Sequence, residues 1–178
     1  MAPSSPYWVN YDEEKMDKSY FTSQAARLGD RKHHLAAELI SLRVKLPPIQ
    51  KTMNLYVNDA IGYKMTPEQP LYYSENCFGT ADAISFRQDS KTGRWMLRIH
   101  DLKTGATRTT MKQLEVYAVL FCYEYKVNMA DIDIELRIYK SDAVEILEPD
   151  LDDLLHILDK ITTYDKRIEM IKKETYGD

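Results

Sequence analysis

The chain of 178 residues is poor in cysteine, has no long apolar run and carries no excess of positive charge. Only Cys77 and Cys122 are present, so there is no C-x-x-C pair, no disulfide framework and no four-ligand zinc set. Both are expected to be buried small hydrophobes. No apolar stretch approaches the roughly 18–20 residues of a membrane span. The first residues, MAPSSPYWVNYDEEK, lack a basic region followed by an apolar one, so no secretory signal is expected and a reducing cytoplasm is the default compartment. The net charge of −4 argues against a strongly basic nucleic-acid coat. The charge is uneven, however. Residues 148–178 hold nine acids against five bases, and residues 1–147 hold equal numbers of each. A neutral body can still carry a local basic groove.

What is present is an ordinary globular balance, 44% hydrophobic and 29% charged, at a length that suits one domain over residues 1–178. Residues 1–20 mix Pro, Ser, aromatics and charges without a period and are expected to form an irregular arm. Residues 22–45 are helical, with Leu28, Leu35, Leu39, Leu42 and Leu46 in one apolar stripe stopped by Pro47 and Pro48. A shorter helix is expected over 51–64. Strands are expected over 71–76, 79–88 and 95–103, with a Lys91–Gly93 turn between the last two. A helix over 109–127 follows, then strands over 132–139 and 143–147 joined by a tight Lys-Ser-Asp turn. The acidic C-terminal part, 150–178, is expected to be a helix, regular over 151–173. Its stripe of Leu151, Leu154, Leu155, Leu158 and Ile161 would pack on the core or on a partner subunit. This alternation predicts an α/β architecture, a central mixed β-sheet flanked by helices.

Chemistry concentrates between residues 79 and 103. On a strand, Asp101 and Lys103 point the same way and Leu102 points into the core, leaving the Leu102 carbonyl near the same edge. A hairpin would bring Asp82, on the preceding strand, beside Asp101. Two carboxylates and a carbonyl are hard oxygen donors suited to Mg²⁺ or Mn²⁺. The plainer readings are a surface ion pair for Asp101 and Lys103 and a turn-capping role for Asp82.

Four pieces occur in order: Gly29-Asp30-Arg31-Lys32-His33, Gly79-Thr80-Ala81-Asp82, Asp101-Leu102-Lys103 and Gln113-Leu114-Glu115-Val116-Tyr117. Together they resemble the PD-(D/E)XK nuclease superfamily, whose fold is restriction-endonuclease-like, and in particular its RecB-like exonuclease branch. The resemblance implies a Mg²⁺- or Mn²⁺-dependent hydrolase that cleaves DNA phosphodiester bonds, in DNA end processing or recombination. His33, Asp82, Asp101 and the Leu102 carbonyl would bind the metal, and Asp82, Asp101 and Lys103 would be catalytic. Gln113 and Tyr117 would line the nucleic-acid side, with Arg108 and Lys112 as further DNA contacts and Arg98 as a third basic candidate near the site. His34 and Glu38, an i, i+4 pair, are alternative helix ligands. Gln113 has a second reading, since Thr110-Met111-Lys112-Gln113 is a capping box. CRISPR-associated relatives in the branch hold an iron–sulfur cluster with four cysteines, which two cysteines cannot supply. The expected partner is single- or double-stranded DNA rather than a membrane, with a homo-oligomer as a further possibility. The expected setting is the cytoplasm of a bacterium or phage-infected host. The rival reading is a non-catalytic nucleic-acid-binding or interaction protein on the same fold.

Overall fold

A computed structural model describes residues 6–90, 92–105 and 110–176. After a short 3₁₀ turn (Pro6–Asn10) come α1 (Glu13–Leu42), α2 (Thr52–Gly62), β1 (Thr66–Ser74), β2 (Cys77–Gln88), β3 (Trp95–Leu102), α3 (Lys112–Glu124), β4 (Ile132–Lys140), β5 (Ala143–Leu147) and α4 (Leu151–Tyr176). The strands form one mixed sheet in the order β1-β2-β3-β4-β5. All neighbours are antiparallel except β3 and β4, which run parallel. A parallel pair needs a crossover, and α3 supplies it.

Helices cover both faces. One cluster, with Leu97, Ile99, Leu114, Ala118, Leu136 and Leu154, lies on the α3 and α4 side. The other, with Ala36, Ile40, Tyr56, Val57, Leu102 and Tyr139, lies under α1 and α2. The β4–β5 connection is tight, as expected, but Lys140 still belongs to β4 and only Ser141 (φ 52°) and Asp142 (φ 60°) make the turn. Positive φ at both positions is the signature of a type I′ hairpin, whose twist matches the strands it joins.

Several local expectations change. Helix α1 starts at Glu13, inside the segment expected to be irregular. Asp12 caps it by accepting the Lys15 amide at 2.8 Å, and Glu13 and Glu14 fill the first turn. An acidic first turn favours a helix through the helix dipole, without any apolar period. Its leucine stripe splits, with Leu39 and Leu46 partly buried against the cluster under α1 and α2. Leu28, Leu35 and Leu42 are exposed, whereas Ala36 and Ile40 are buried. The small Ala36 brings the helix close to the sheet, and that close approach selects the Ala36/Ile40 face. Strand β1 begins at Thr66 and includes Pro67 and Pro70, residues that read as breakers. An edge strand tolerates proline because its outward N–H groups have no ladder partner. Cys122 is buried, but Cys77 is only half-buried, at the hairpin that opens β2. Of the Lys91–Gly93 turn, Lys91 lies outside the described residues, and Gly93 completes the turn at φ 72°.

Candidate functional site

The pairing of β2 with β3 matches Ala83 to His100, so the next step places Asp82 across from Asp101. Asp101 is 4% exposed at the end of β3. The Lys103 ammonium lies 3.0 Å from Asp101 Oδ1 and 2.9 Å from Oδ2. Only the first contact has hydrogen-bond direction, so the buried Oδ2 has a cation beside it but no hydrogen bond. Burial, and then the nearby Asp82 charge, raise the Asp101 pKa. Lys103 and His33 oppose that rise.

Asp82 is held from two sides. The Leu102 amide donates to its Oδ2 at 2.9 Å, and His33 Nδ1 stands 3.2 Å from the same oxygen. The hydrogen bond to Asp82 is the largest influence on His33 and raises its pKa against the opposing effect of burial. Of the two adjacent histidines, the structure brings His33 to the carboxylates, while His34 and Glu38 are exposed. Gly29 explains how α1 reaches this edge. A Cβ there would stand 2.9 Å from Thr104 Oγ1, so a side chain would push the helix off the segment that follows Lys103.

On the other side, Gln113 Oε1 accepts from Lys103 Nζ at 3.4 Å, and Gln113 Nε2 donates to Tyr117 Oη at 3.1 Å. The capping-box reading fails. The N-cap of α3 is Met111, in helical conformation and without a side-chain cap bond. Gln113 therefore faces the carboxylates. The Tyr117 ring lies against Gly79, where a Cβ would meet Cε1 at 2.8 Å. The four sequence pieces thus join in one continuous set running from α1 through β2 and β3 to α3.

Lys112 pairs with the buried Glu115 at 2.5 Å on α3. Arg98 pairs with Glu135 and packs on the Tyr63 ring, and only 16% of its side chain is exposed. Arg108 lies outside the described residues.

Sequence reasoning missed Glu68. Pro67 pairs with Ala83 and Gln69 with Ala81, which leaves Glu68 across from Asp82. Glu68, Asp82 and Asp101 therefore occupy one row over three strands. The Glu68 charge reaches both His33 and Tyr56. Its backbone is left-handed, at φ 51°. Alternation breaks at the same row on β2, where Ala81 lies in the cluster under α3 and Ala83 in that under α1 and α2. The two prolines flanking Glu68 hid the strand that carries it.

Among the described residues, no three His, Cys, Asp or Glu side chains are grouped so as to hold a metal ion. The donor chemistry nevertheless suits a hard divalent cation. Two carboxylates face one another across neighbouring strands, the Leu102 carbonyl follows Asp101, and Asp101 Oδ2 is a buried oxygen lacking a hydrogen bond. Also among the described residues, no helix is long and apolar enough to cross a membrane. In comparisons with known proteins, no family model, no curated protein and no solved structure matches the chain.

Proposed function

We propose that the chain is a Mg²⁺- or Mn²⁺-dependent deoxyribonuclease of the RecB-like, PD-(D/E)XK type, acting on DNA ends in processing or recombination. One observation carries this reading. His33, Asp82, Asp101, Lys103, Gln113 and Tyr117, drawn from segments far apart in sequence, form an unbroken set of contacts at one sheet edge. A chance D-x-K would not gather the other pieces around it.

Asp82, Asp101, the Leu102 carbonyl and His33 would hold the cation, which when bound supplies a more acidic water and charge neutralisation at the phosphate. The residues themselves do the following. Asp82, fixed by the Leu102 amide, keeps its carboxylate aimed at the edge where Asp101 lies. Lys103 presents a compact ammonium to the non-bridging phosphate oxygens, where negative charge grows as water attacks phosphorus in line. Gln113 braces that ammonium, and Tyr117 braces Gln113, so the charge is positioned before the reaction begins. The P–O3′ bond breaks, and the oxygen leaves as a 3′-hydroxyl after taking up a proton. The other product carries a 5′-phosphate.

The test is incubation with linear and covalently closed circular DNA, each with Mn²⁺, Mg²⁺ or chelator. Loss of linear DNA alone, dependent on metal, is expected of an exonuclease. Loss of both forms would make it an endonuclease. DNA binding without cleavage in either metal would overturn the catalytic reading in favour of a binding module.

A further inference from the structure

A second feature shares Lys103 with the carboxylate cluster. It is a cleft of about 550 Å³ between the middle of α1, the start of α2, the end of β3 and the β4–β5 turn. Among the described residues Lys32, Lys51, Lys103 and Lys140 line it, against one lining carboxylate, Asp142. That carboxylate is already engaged. It bonds the Thr52 amide at 2.9 Å and Lys51 at 2.9 Å, and these bonds hold its pKa down to about 2. Lys32 makes no ion pair among the described residues. Leu35, Met53 and Leu102 supply apolar lining. None of this follows from the four sequence pieces, and neither Arg98 nor Lys112, the basic residues expected near the site, lines the cleft.

We infer that this cleft holds the phosphodiester backbone of a single nucleic-acid strand and leads it across Lys103 to the carboxylates, an inference that rests on the nuclease reading for its direction. Charge and shape argue together. Clustered ammonium groups attract a polyanion, and apolar lining between them accommodates sugars and bases, which a simple anion would not require. A volume of this order encloses a small-molecule-sized ligand, so it admits about one or two nucleotides, not the flank of a duplex. Among the described residues no aromatic ring lines the cleft, so binding rests on backbone charge and tolerates any sequence.

The experiment measures fluorescence anisotropy of labelled oligo-dT, oligo-rU and a duplex, with chelator present, over a series of salt concentrations. Variants are Lys32→Ala, Lys32→Arg and the triple Lys32→Ala/Lys51→Ala/Lys140→Ala. Each lost phosphate contact should lower the log–log salt slope by about 0.7 on a single strand. Lys32→Ala should therefore lose about 0.7 and the triple variant more, with at least a tenfold loss of affinity at low salt. Lys32→Arg should retain the wild-type slope. The exposed Lys32 position keeps the test decisive should the triple variant misfold. Equal losses on oligo-dT and oligo-rU are expected of backbone recognition. An unchanged slope in Lys32→Ala, or a loss on the duplex as large as on the single strands, overturns the inference. Cleavage by the wild type with lysine-independent binding would sink the cleft and spare the nuclease. Lysine-dependent binding by a wild type that cleaves nothing would do the reverse.

Discussion

His100 and Asp101 are neighbours in sequence and face opposite sides of the sheet, each within a cluster of polar groups. The cluster around His100 nearly closes on itself. Tyr139 Oη donates to Asp59 at 2.7 Å and stands 3.2 Å from His100 Nδ1. Arg137 reaches Asp59, Glu135 and Tyr63, and Arg98 joins at Glu135. The Tyr63 ring lies beneath both guanidiniums, at 4.4 and 4.9 Å. Since the Tyr139 proton goes to Asp59, neutral His100 donates from Nδ1, and only its buried Nε2 is left over. The cluster around Asp101 stays open. Three acids share one row there, the buried Asp101 Oδ2 has no hydrogen bond, and Lys103 also lines the neighbouring cleft. Both clusters are unusual in composition. Closure is what separates a self-satisfied supporting network from a candidate site.

The largest expected effect is at the open cluster. Asp101→Ala should abolish cleavage and remove most of the heat of Mn²⁺ binding in calorimetry, while the melting temperature holds or rises. Burial disfavours the Asp101 charge, which offsets the loss of its contact with Lys103, an ammonium that can turn to solvent. A mutant with wild-type activity would place Asp101 with the structural residues and end the contrast.

Lys103→Ala comes next. Single-turnover cleavage should fall by about 10²–10³-fold, the scale for loss of one positioned charge-stabilising donor. Mn²⁺ affinity should barely change. Lys103→Arg should not restore the rate, because a planar guanidinium does not replace a compact ammonium held against Asp101 and Gln113.

In the closed cluster the sign reverses, with stability lost and chemistry kept. Tyr139→Phe takes one bond from Asp59, which keeps Arg137, and leaves His100 Nδ1 without its partner, and should cost about 1–3 kcal/mol in urea unfolding. Cleavage per folded molecule should stay at the wild-type rate. A large rate loss at full stability would join the two clusters into one functional unit.

The smallest effect is in pH dependence, best read by NMR of the histidine rings in chelator. His33 should titrate above its usual value of 6.5, chiefly through Asp82, and His100 below it, chiefly through burial. The consequences for stability oppose one another. The His33 contribution is complete below pH 6.5 and is lost as pH rises through its raised pKa. His100 folds neutral, so its cost appears as pH falls from about 6.5 through its lowered pKa. Parallel titration of both rings would show that they share an environment and would blur the comparison.

The element order and the mixed sheet were legible in the sequence because β3, β4 and α3 carry strong periods and clear punctuation. Asp101 and Lys103 were legible as a pair because strand alternation puts i and i+2 on one side, and Asp82 because a hairpin brings its strand beside theirs; between His33 and His34 only a family resemblance chose. Other features were not legible for definite reasons. Gln113 reads equally well as a cap, and only the conformation of Met111 decides. The leucines of α1 form a better stripe than Ala36 and Ile40, yet close approach to the sheet favours the small side chain.

Local chemistry along the chain thus determined which residues form strands and helices, and that two acids and a lysine fall near one sheet edge. Tertiary structure alone decided that His33 rather than His34 meets Asp82, that Glu68 completes a row of acids, and that Lys32, Lys51 and Lys140 converge beside Lys103. Those outcomes depend on strand register and on how near α1 lies to β3. Both are fixed by packing between segments tens of residues apart, and no periodicity within a single segment contains them.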